Sequence, residues 1–216
     1  MSPQAAQGRL DRMPATGWNA SMAGLFMIFI GYLAGSLSTG IIVAKVMGLG
    51  DPRDDGSGNP GATNLLRLGG RGAAAATLFG DAMKGVLPVL AAHAMGTGNG
   101  ILALTGLAAF LGHLYPVFFG FRGGKGIATG LGVFLTWAWP VGLGVVLTWL
   151  AVAALTRISS LAALVSFTLA PLYALLVTDA WSLAMAAAAM ALLTIWRHRG
   201  NVRRIARGEE PRIGRR

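Results

Sequence analysis

The chain has no cysteine, and among its 216 residues only eight are acidic and three are histidine. Disulfides, a thiolate nucleophile and a zinc–cysteine site are therefore excluded. The histidines lie far apart at 93, 113 and 198, and with so few acids no metal site is expected, nor any other cofactor. Charge of either sign is scarce. Charged residues make up 12% of the chain against about 25% in a typical soluble domain. Hydrophobic residues make up 54%, and the mean hydropathy is +0.60. These values exclude an ordinary soluble fold and point to an integral membrane protein. What charge there is runs one way. The net charge is +10, and eight of the 18 basic residues fall between Arg197 and Arg216. A basic tail beside a membrane segment marks the cytoplasmic face and contacts with anionic membrane lipids rather than a nucleic-acid partner.

Apolar runs bounded by polar interruptions predict an all-α fold with membrane helices near 20–47, 72–95, 100–118, 127–139, 141–156, 160–178 and 181–196. The fourth and fifth are short for a bilayer, which needs about 17 residues at least, and Pro140 between them is either a tight turn or a kink in one long helix. Charge arbitrates. With seven spans, loops 48–71, 119–126 and 157–159 and the tail 197–216 share one face, together with Arg53, Arg67, Arg71, Arg122, Lys125, Arg157 and the tail arginines. The opposite loops, around 96–99, 140 and 179, carry no lysine or arginine, and only Arg9 and Arg12 oppose the bias. The expectation is seven transmembrane helices, N-terminus outside, C-terminus cytoplasmic. Residues 1–19 are expected to be a disordered polar tail and 20–216 one membrane domain. Arg9 and Arg12 resemble the start of a signal peptide, but the run from Ser21 to Val46 is long and lacks a small-residue cleavage site.

On this topology nearly every chemically capable side chain lies at the cytoplasmic ends of the spans. "GSLSTG", Gly35 to Gly40, reads as close helix packing, its hydroxyls bonding backbone carbonyls. In "SGNPGATNLLRLGGR", Ser57 to Arg71, Gly58 and Gly61 free the backbone to form an anion-binding nest. Ser57, Asn59, Thr63 and Asn64 add neutral hydrogen-bonding groups, and Arg67 supplies a planar fork suited to phosphate. The plain alternative is a turn with a helix cap. Asp81 and Lys84 in "DAMKG" are i,i+3 neighbours that pair, equally as structure or as chemistry. "GHLYPVFFGFRGGKG" sets Lys125 among Gly123, Gly124 and Gly126, so that backbone and ammonium both approach an anion. It lacks the hydroxyl that a Walker A loop has after its lysine, which disfavours a kinase. In "RHRGNVRR", His198 and Asn201 share a helical face, while Arg197 and Arg199 point elsewhere.

Together, "GSGNPGATN…R", "DAMKG", "GHLYPVFFGFRGGKGIATGLG" and "HRGNVRRIARGEE" stand in the order and spacing of one family. Over roughly 22–214 the chain closely resembles the bacterial integral-membrane glycerol-3-phosphate acyltransferases that take their acyl chain from acyl phosphate, the PlsY family. The resemblance implies transfer of a fatty acyl group to the sn-1 hydroxyl of glycerol 3-phosphate, giving lysophosphatidic acid and inorganic phosphate as the first step of phospholipid synthesis. It implies seven spans in the bacterial inner membrane and an active site at the cytoplasmic face. Carried over by motif, Ser57, Arg67, Lys125, His198 and Asn201 resemble the group that binds the phosphate of glycerol 3-phosphate. Asn59, Gly61, Thr63, Asn64, Gly123, Gly124 and Ser160 resemble the residues around the same pocket or the acyl phosphate. Ser160 is offered beside Ser159 by the same "RISSLA".

The inventory suits that chemistry. Acyl phosphate is a mixed anhydride with a good leaving group, so the protein has to gather two phosphate-bearing substrates and offset their repulsion. Either His198 or a phosphate oxygen of the donor takes the hydroxyl proton. The acyl chain is expected in a groove near the short fourth and fifth spans, against Phe134, Trp137 and Trp139. Acyltransferases that carry a histidine and an aspartate separated by four residues are excluded, because the residues five beyond the three histidines are Gly98, Phe118 and Arg203. A transporter of phosphorylated molecules and a lipid-binding scaffold are the rivals from other classes; no inverted repeat supports the first, and the second rests on the basic tail alone. Beyond substrates and membrane lipids no partner is expected, and the protein is expected to be a monomer.

Overall fold

The structure, a computed structural model, describes residues 17–214, with side chains from Met22 onward. The described residues are helical with no strand: α1 (Gly17–Gly35), α2 (Thr39–Val46), α3 (Ala62–Ala94), α4 (Asn99–Leu114), a short 3-10 turn (Val117–Phe119), α5 (Ile127–Trp137), α6 (Trp139–Thr156), α7 (Ser159–Thr178), α8 (Trp181–Arg197) and α9 (Arg199–Ala206). The expected polar tail over 1–19 lies outside the described residues except for its last three, which already belong to α1. Five segments are long and apolar enough to cross a membrane: Met22–Val46, Ala62–Ala94, Asn99–Phe119, Trp139–Thr156 and Ser159–Thr178. Ile127–Trp137 and Trp181–Arg197 are shorter apolar helices. At 1.5 Å per residue the 11-residue α5 reaches roughly 16 Å, about half of a hydrocarbon core.

The outside of the bundle carries many large apolar side chains. Leu155 and Leu176 are 85% and 74% exposed, and Phe26, Phe29, Leu147, Met185 and Leu192 are exposed too. So broad an apolar surface would be a liability in water and suits lipid; the chain is a membrane-embedded protein. Inside, Phe110, Phe134 and Phe167 form the aromatic centre, with Phe134 and Phe167 centroids 5.2 Å apart. Elsewhere small residues let backbones meet. A Cβ on Gly35 would lie 2.0 Å from the Ala109 carbonyl oxygen, and one on Gly112 would lie 2.3 Å from that of Tyr32. These glycines set the α1–α4 seam, where in lipid packing replaces the hydrophobic effect as the main attraction.

Three expected boundaries move. The first span is broken at Ser36–Ser38, where Ser36 Oγ donates to the Tyr32 carbonyl at 2.8 Å and Ser38 is extended. The Leu37 carbonyl freed by that break accepts from Lys84 Nζ at 2.8 Å, so the second span repairs the first. The helix expected from 72 begins instead at Ala62, with a kink at Gly70, whose φ of +76° suits only glycine without strain. The last part of the expected 48–71 loop, from Ala62 on, is therefore helix, and Thr63, Asn64 and Arg67 stand on its first turns. Pro140 marks a tight turn, not a kink in one long helix: Ala138 is extended, α6 restarts at Trp139, and Gly142 folds back onto Leu135.

Candidate active site

The Ser57 segment, the GGKG loop, the start of α7, and α9 with the tail that follows it are bonded to one another at one end of the bundle. Arg53 Nη1 donates to the Phe119 carbonyl at 2.7 Å, and the tail closes back when the Ile213 amide donates to the Arg157 carbonyl at 2.7 Å. Arg197 clamps the glycine loop, giving Nη2 to Gly123 O at 2.7 Å and Nε to Gly124 O at 3.1 Å. The Gly124 amide in turn donates to the His113 carbonyl at 3.1 Å, and the left-handed Gly126 at φ +83° turns the chain into α5 against Phe110. Lys125 is thereby projected away from its own loop.

Lys125 Nζ donates to Asn201 Oδ1 at 2.6 Å. Asn201, the only buried residue of α9, passes the link on: its Nδ2 donates to Glu210 Oε1 at 2.5 Å. Ser160 Oγ donates to the same oxygen at 2.7 Å, and Arg204 Nε donates to Glu210 Oε2 at 2.7 Å. Burial opposes the charge of Glu210, but the bonds from Ser160, Asn201 and Arg204 outweigh it and hold the carboxyl below its ordinary value. Burial lowers Lys125 to about 8, with Arg204 and Arg197 pressing the same way and Glu210 opposing. His198 is lowered to about 4 by burial and the Lys125 charge. Its Nδ1 lies 2.8 Å from the Thr194 carbonyl, which can only accept, so Nδ1 carries the proton and Nε2 keeps its lone pair.

These groups line one cavity of about 710 Å³. Ser57, Asn59, Gly61, Thr63, Arg67, Lys125, Ser160, His198 and Asn201 are all on its wall, brought from four separate stretches of chain. Ser159 lines it as well, but Ser160 is the buried serine that bonds Glu210. Three expected residues stand off the wall. Asn64 is buried beneath the loop, donating to the Pro52 and Asp55 carbonyls and accepting the Ser57 amide at 2.9 Å, so it shapes the segment that carries Ser57. Gly123 borders a neighbouring hollow, and Gly124 packs on the His113 ring. Arg197 and Arg199, expected to point elsewhere, both border that hollow.

The far wall is apolar: Leu131 of α5, Val145, Val146 and Trp149 of α6, and Phe167 of α7. The exposed Leu78 of α3 and Leu150 of α6 stand at its rim. The expected acyl wall of Phe134, Trp137 and Trp139 is not there. Phe134 is fully buried in the core, Trp137 Nε1 donates to the Leu102 carbonyl at 3.0 Å, and Trp139 is 68% exposed. α5 and α6 do contribute to the apolar wall, but through Leu131, Val145, Val146 and Trp149. Glu210, Arg204, Asp81 and His113 line the cavity without having been singled out as binding groups. For Glu210 the available signal was a lone acidic pair, "GEEP", in a tail of arginines.

The glycerol-3-phosphate acyltransferase family profile matches residues 25–208. A glycerol-3-phosphate acyltransferase of Thioalkalivibrio sulfidiphilus is 56% identical over 185 residues, covering 85% of this chain and 90% of that protein. One of Methylococcus capsulatus is 53% identical over 188 residues, covering 87% and 95%. Among solved structures, crystal forms of PlsY (YgiH), an integral membrane glycerol 3-phosphate acyltransferase, are 39% identical and cover 89% of this chain and 96% of theirs. Their TM-scores are 0.84 for the glycerol 3-phosphate form and 0.82 for the lysophosphatidic acid form.

Proposed function

Because the chain belongs to the glycerol-3-phosphate acyltransferase family and is an acyltransferase of that kind, we propose that it moves a fatty acyl group from acyl phosphate to the sn-1 hydroxyl of glycerol 3-phosphate. The carrying observation is the two-sided cavity, with Arg67, Lys125, Ser57, His198 and Asn201 on one wall and Leu131, Val145, Trp149 and Phe167 on the other. One wall suits phosphate and the other an alkyl chain, which is the shape of an acyl phosphate with a phosphate ester beside it. The exposed rim at Leu78 and Leu150 gives the chain a way in from lipid.

In the proposed step the sn-1 oxygen attacks the acyl carbonyl carbon, and the bond from that carbon to the phosphate oxygen breaks. Inorganic phosphate leaves with the electron pair, and the hydroxyl proton passes to an oxygen of the donor's own phosphate. Lys125 and Arg67 offset the repulsion between two anionic substrates, and Ser57, Asn201 and His198 fix the acceptor's phosphate. A dianion beside His198 favours its protonated form, which turns Nε2 from acceptor into donor toward that phosphate. Asn59, Gly61, Thr63 and Ser160 border the same space, while Gly123 and Gly124 hold Lys125 from behind. The reading extends to seven crossings, with α5 and α8 as the short ones, N-terminus outside and the cavity mouth at the cytoplasmic face of the bacterial inner membrane. The lysine and arginine of the loops and tail support it. The same reading takes a monomer as the working unit.

Protein reconstituted in vesicles and given acyl phosphate with glycerol 3-phosphate should yield lysophosphatidic acid and phosphate in equal amounts. No lysophosphatidic acid, with phosphate release no faster than from protein-free vesicles, would overturn the proposal.

A further inference from the structure

A second hollow of about 340 Å³ adjoins the reaction cavity and shares Ser57, Asn59, Lys125, Asn201 and Arg204 with it. Its remaining walls are the Gly58, Gly123 and Gly200 backbones with Arg197, Arg199 and Arg203. Five cationic side chains thus face one small space, and no carboxylate lines it. Their partners are nearly all neutral. Arg197 is on glycine carbonyls and Lys125 on Asn201. Arg199 gives Nη1 to the Trp196 carbonyl and stacks 4.7 Å over the Trp196 ring. Of the five, Arg204 alone has a carboxylate in salt-bridge range among the described residues, Glu210.

Such a concentration of like charge raises the energy of the folded protein unless an anion answers it. Arg199 and Arg203 are held on either side of Gly200 and Asn201, where α9 begins, and neither touches the apolar wall. The reaction cavity differs in kind. It contains the Asp81 and Glu210 carboxylates and an apolar half, and its rim leads to lipid. A phosphate dianion cannot leave by that rim.

We infer that this hollow is an outer phosphate-binding chamber, continuous with the reaction cavity at Lys125 and Asn201, which takes a small phosphate dianion between cytoplasm and Lys125. It holds inorganic phosphate on its way out and the phosphate end of glycerol 3-phosphate on its way in. The inference rests on the acyl-transfer reading for what the dianion is, and on the hollow itself for the binding. Arg199 and Arg203 are its outer pair, and they act on capture and release, not on the reacting carbon.

The test compares wild type with Arg199→Gln/Arg203→Gln in nanodiscs of purely zwitterionic lipid at low ionic strength, titrated with inorganic phosphate alone and then assayed. Two exposed arginines should cost about three- to ten-fold in phosphate affinity, with the glycerol 3-phosphate KM raised by the same factor and kcat moving less than twofold. The difference should close at about 0.5 M salt, where the screening length is only a few Å. Unchanged phosphate affinity and KM would overturn the chamber. So would a difference seen only in discs containing anionic lipid, which would make the arginines headgroup contacts. If the wild type made no lysophosphatidic acid, the reaction assignment would fail while the phosphate titration still decided the chamber.

Discussion

Lys125 is the residue on which the electrostatic account can be broken. Its ammonium sits 2.6 Å from Asn201 Oδ1 and faces both hollows; Arg204 is the other cation common to the chamber and the reaction cavity, and that one is paired with Glu210. A hydrogen bond to a charged group contributes about 1.5–3 kcal/mol. Taking about 2 kcal/mol, Lys125→Ala should lower kcat/KM for glycerol 3-phosphate by roughly 30-fold. The pH profile gives a second, independent readout. With the free-enzyme value at about 8, Lys125 is mostly charged at pH 7 and loses its charge as pH rises through 8. The neutral amine no longer attracts phosphate, so kcat/KM should be level below that point and fall above it, the free-enzyme profile being the one that kcat/KM reports. Lys125→Arg keeps a charge that does not titrate in this range and should carry the level region upward. The assay is initial-rate formation of lysophosphatidic acid from acyl phosphate between pH 6 and 9.5. Turnover of Lys125→Ala within threefold of wild type, or a basic limb unmoved in Lys125→Arg, would refute the reasoning.

Two further predictions follow from contacts elsewhere. His198→Gln should retain at least about a tenth of wild-type kcat if the imidazole only holds phosphate, whereas loss of a general base costs 10²–10⁴-fold; single-turnover rates at saturating substrate separate the two, and a drop beyond a hundredfold would return the proton to His198. Gly35→Val forces a side chain against the Ala109 carbonyl and should destabilise by about 1–3 kcal/mol, lowering the melting temperature in detergent, whereas Gly100→Ala, with open space at its Cβ, should leave it unchanged; equal melting for both would mean that the α1–α4 seam does not depend on close approach.

Residues that the structure gathers into one cavity are legible in the sequence where they are conspicuous against their surroundings. Glycines, a lysine or a histidine in an apolar chain stand out, and Ser57, Arg67, Lys125, His198 and Asn201 do converge on one cavity. Legibility fails where two environments look alike. Phe134 and Trp137 face the protein core, Leu147 faces outward and Leu131 faces the cavity, yet all are simply apolar, and hydropathy cannot tell lipid from core. The break at Ser36–Ser38 was hidden because its repair, Lys84, lies 47 residues away. The early start of α3 was hidden by Gly69 and Gly70, which resemble a loop but here mark a kink between helical halves. Asn64 has the chemistry of a ligand, and only its three bonds to the Pro52–Ser57 loop show what it does.

The Asp81–Lys84 pair shows why the choice between structural and functional is too coarse. Lys84 Nζ lies 2.8 Å from Asp81 Oδ1 and 2.8 Å from the Leu37 carbonyl, with both side chains about 5% exposed. An unsatisfied carbonyl in hydrocarbon costs several kcal/mol, and a lone buried charge costs more. Each group here removes the penalty of another. Asp81 Oδ1 also stands 3.6 Å from His113 Nδ1, whose other neighbour is Thr129 Oγ1 at 3.1 Å, and the His113 ring lies under Gly124. The pair therefore braces the backbone that presents Lys125. It also adds no net charge to the cavity wall, although Asp81 faces it. The neighbouring hollow carries the unbalanced positive charge of Arg199 and Arg203, while the reaction cavity has the Lys84-paired Asp81 on its polar wall and Leu131 and Val145 on its apolar one. In the acyl-transfer reading proposed above, that division places the headgroup of an acyl phosphate toward Lys125 and its chain toward α5 and α6. In the same reading, with the donor placed by the two unlike walls, acyl transfer needs little more than the second phosphate held beside the first.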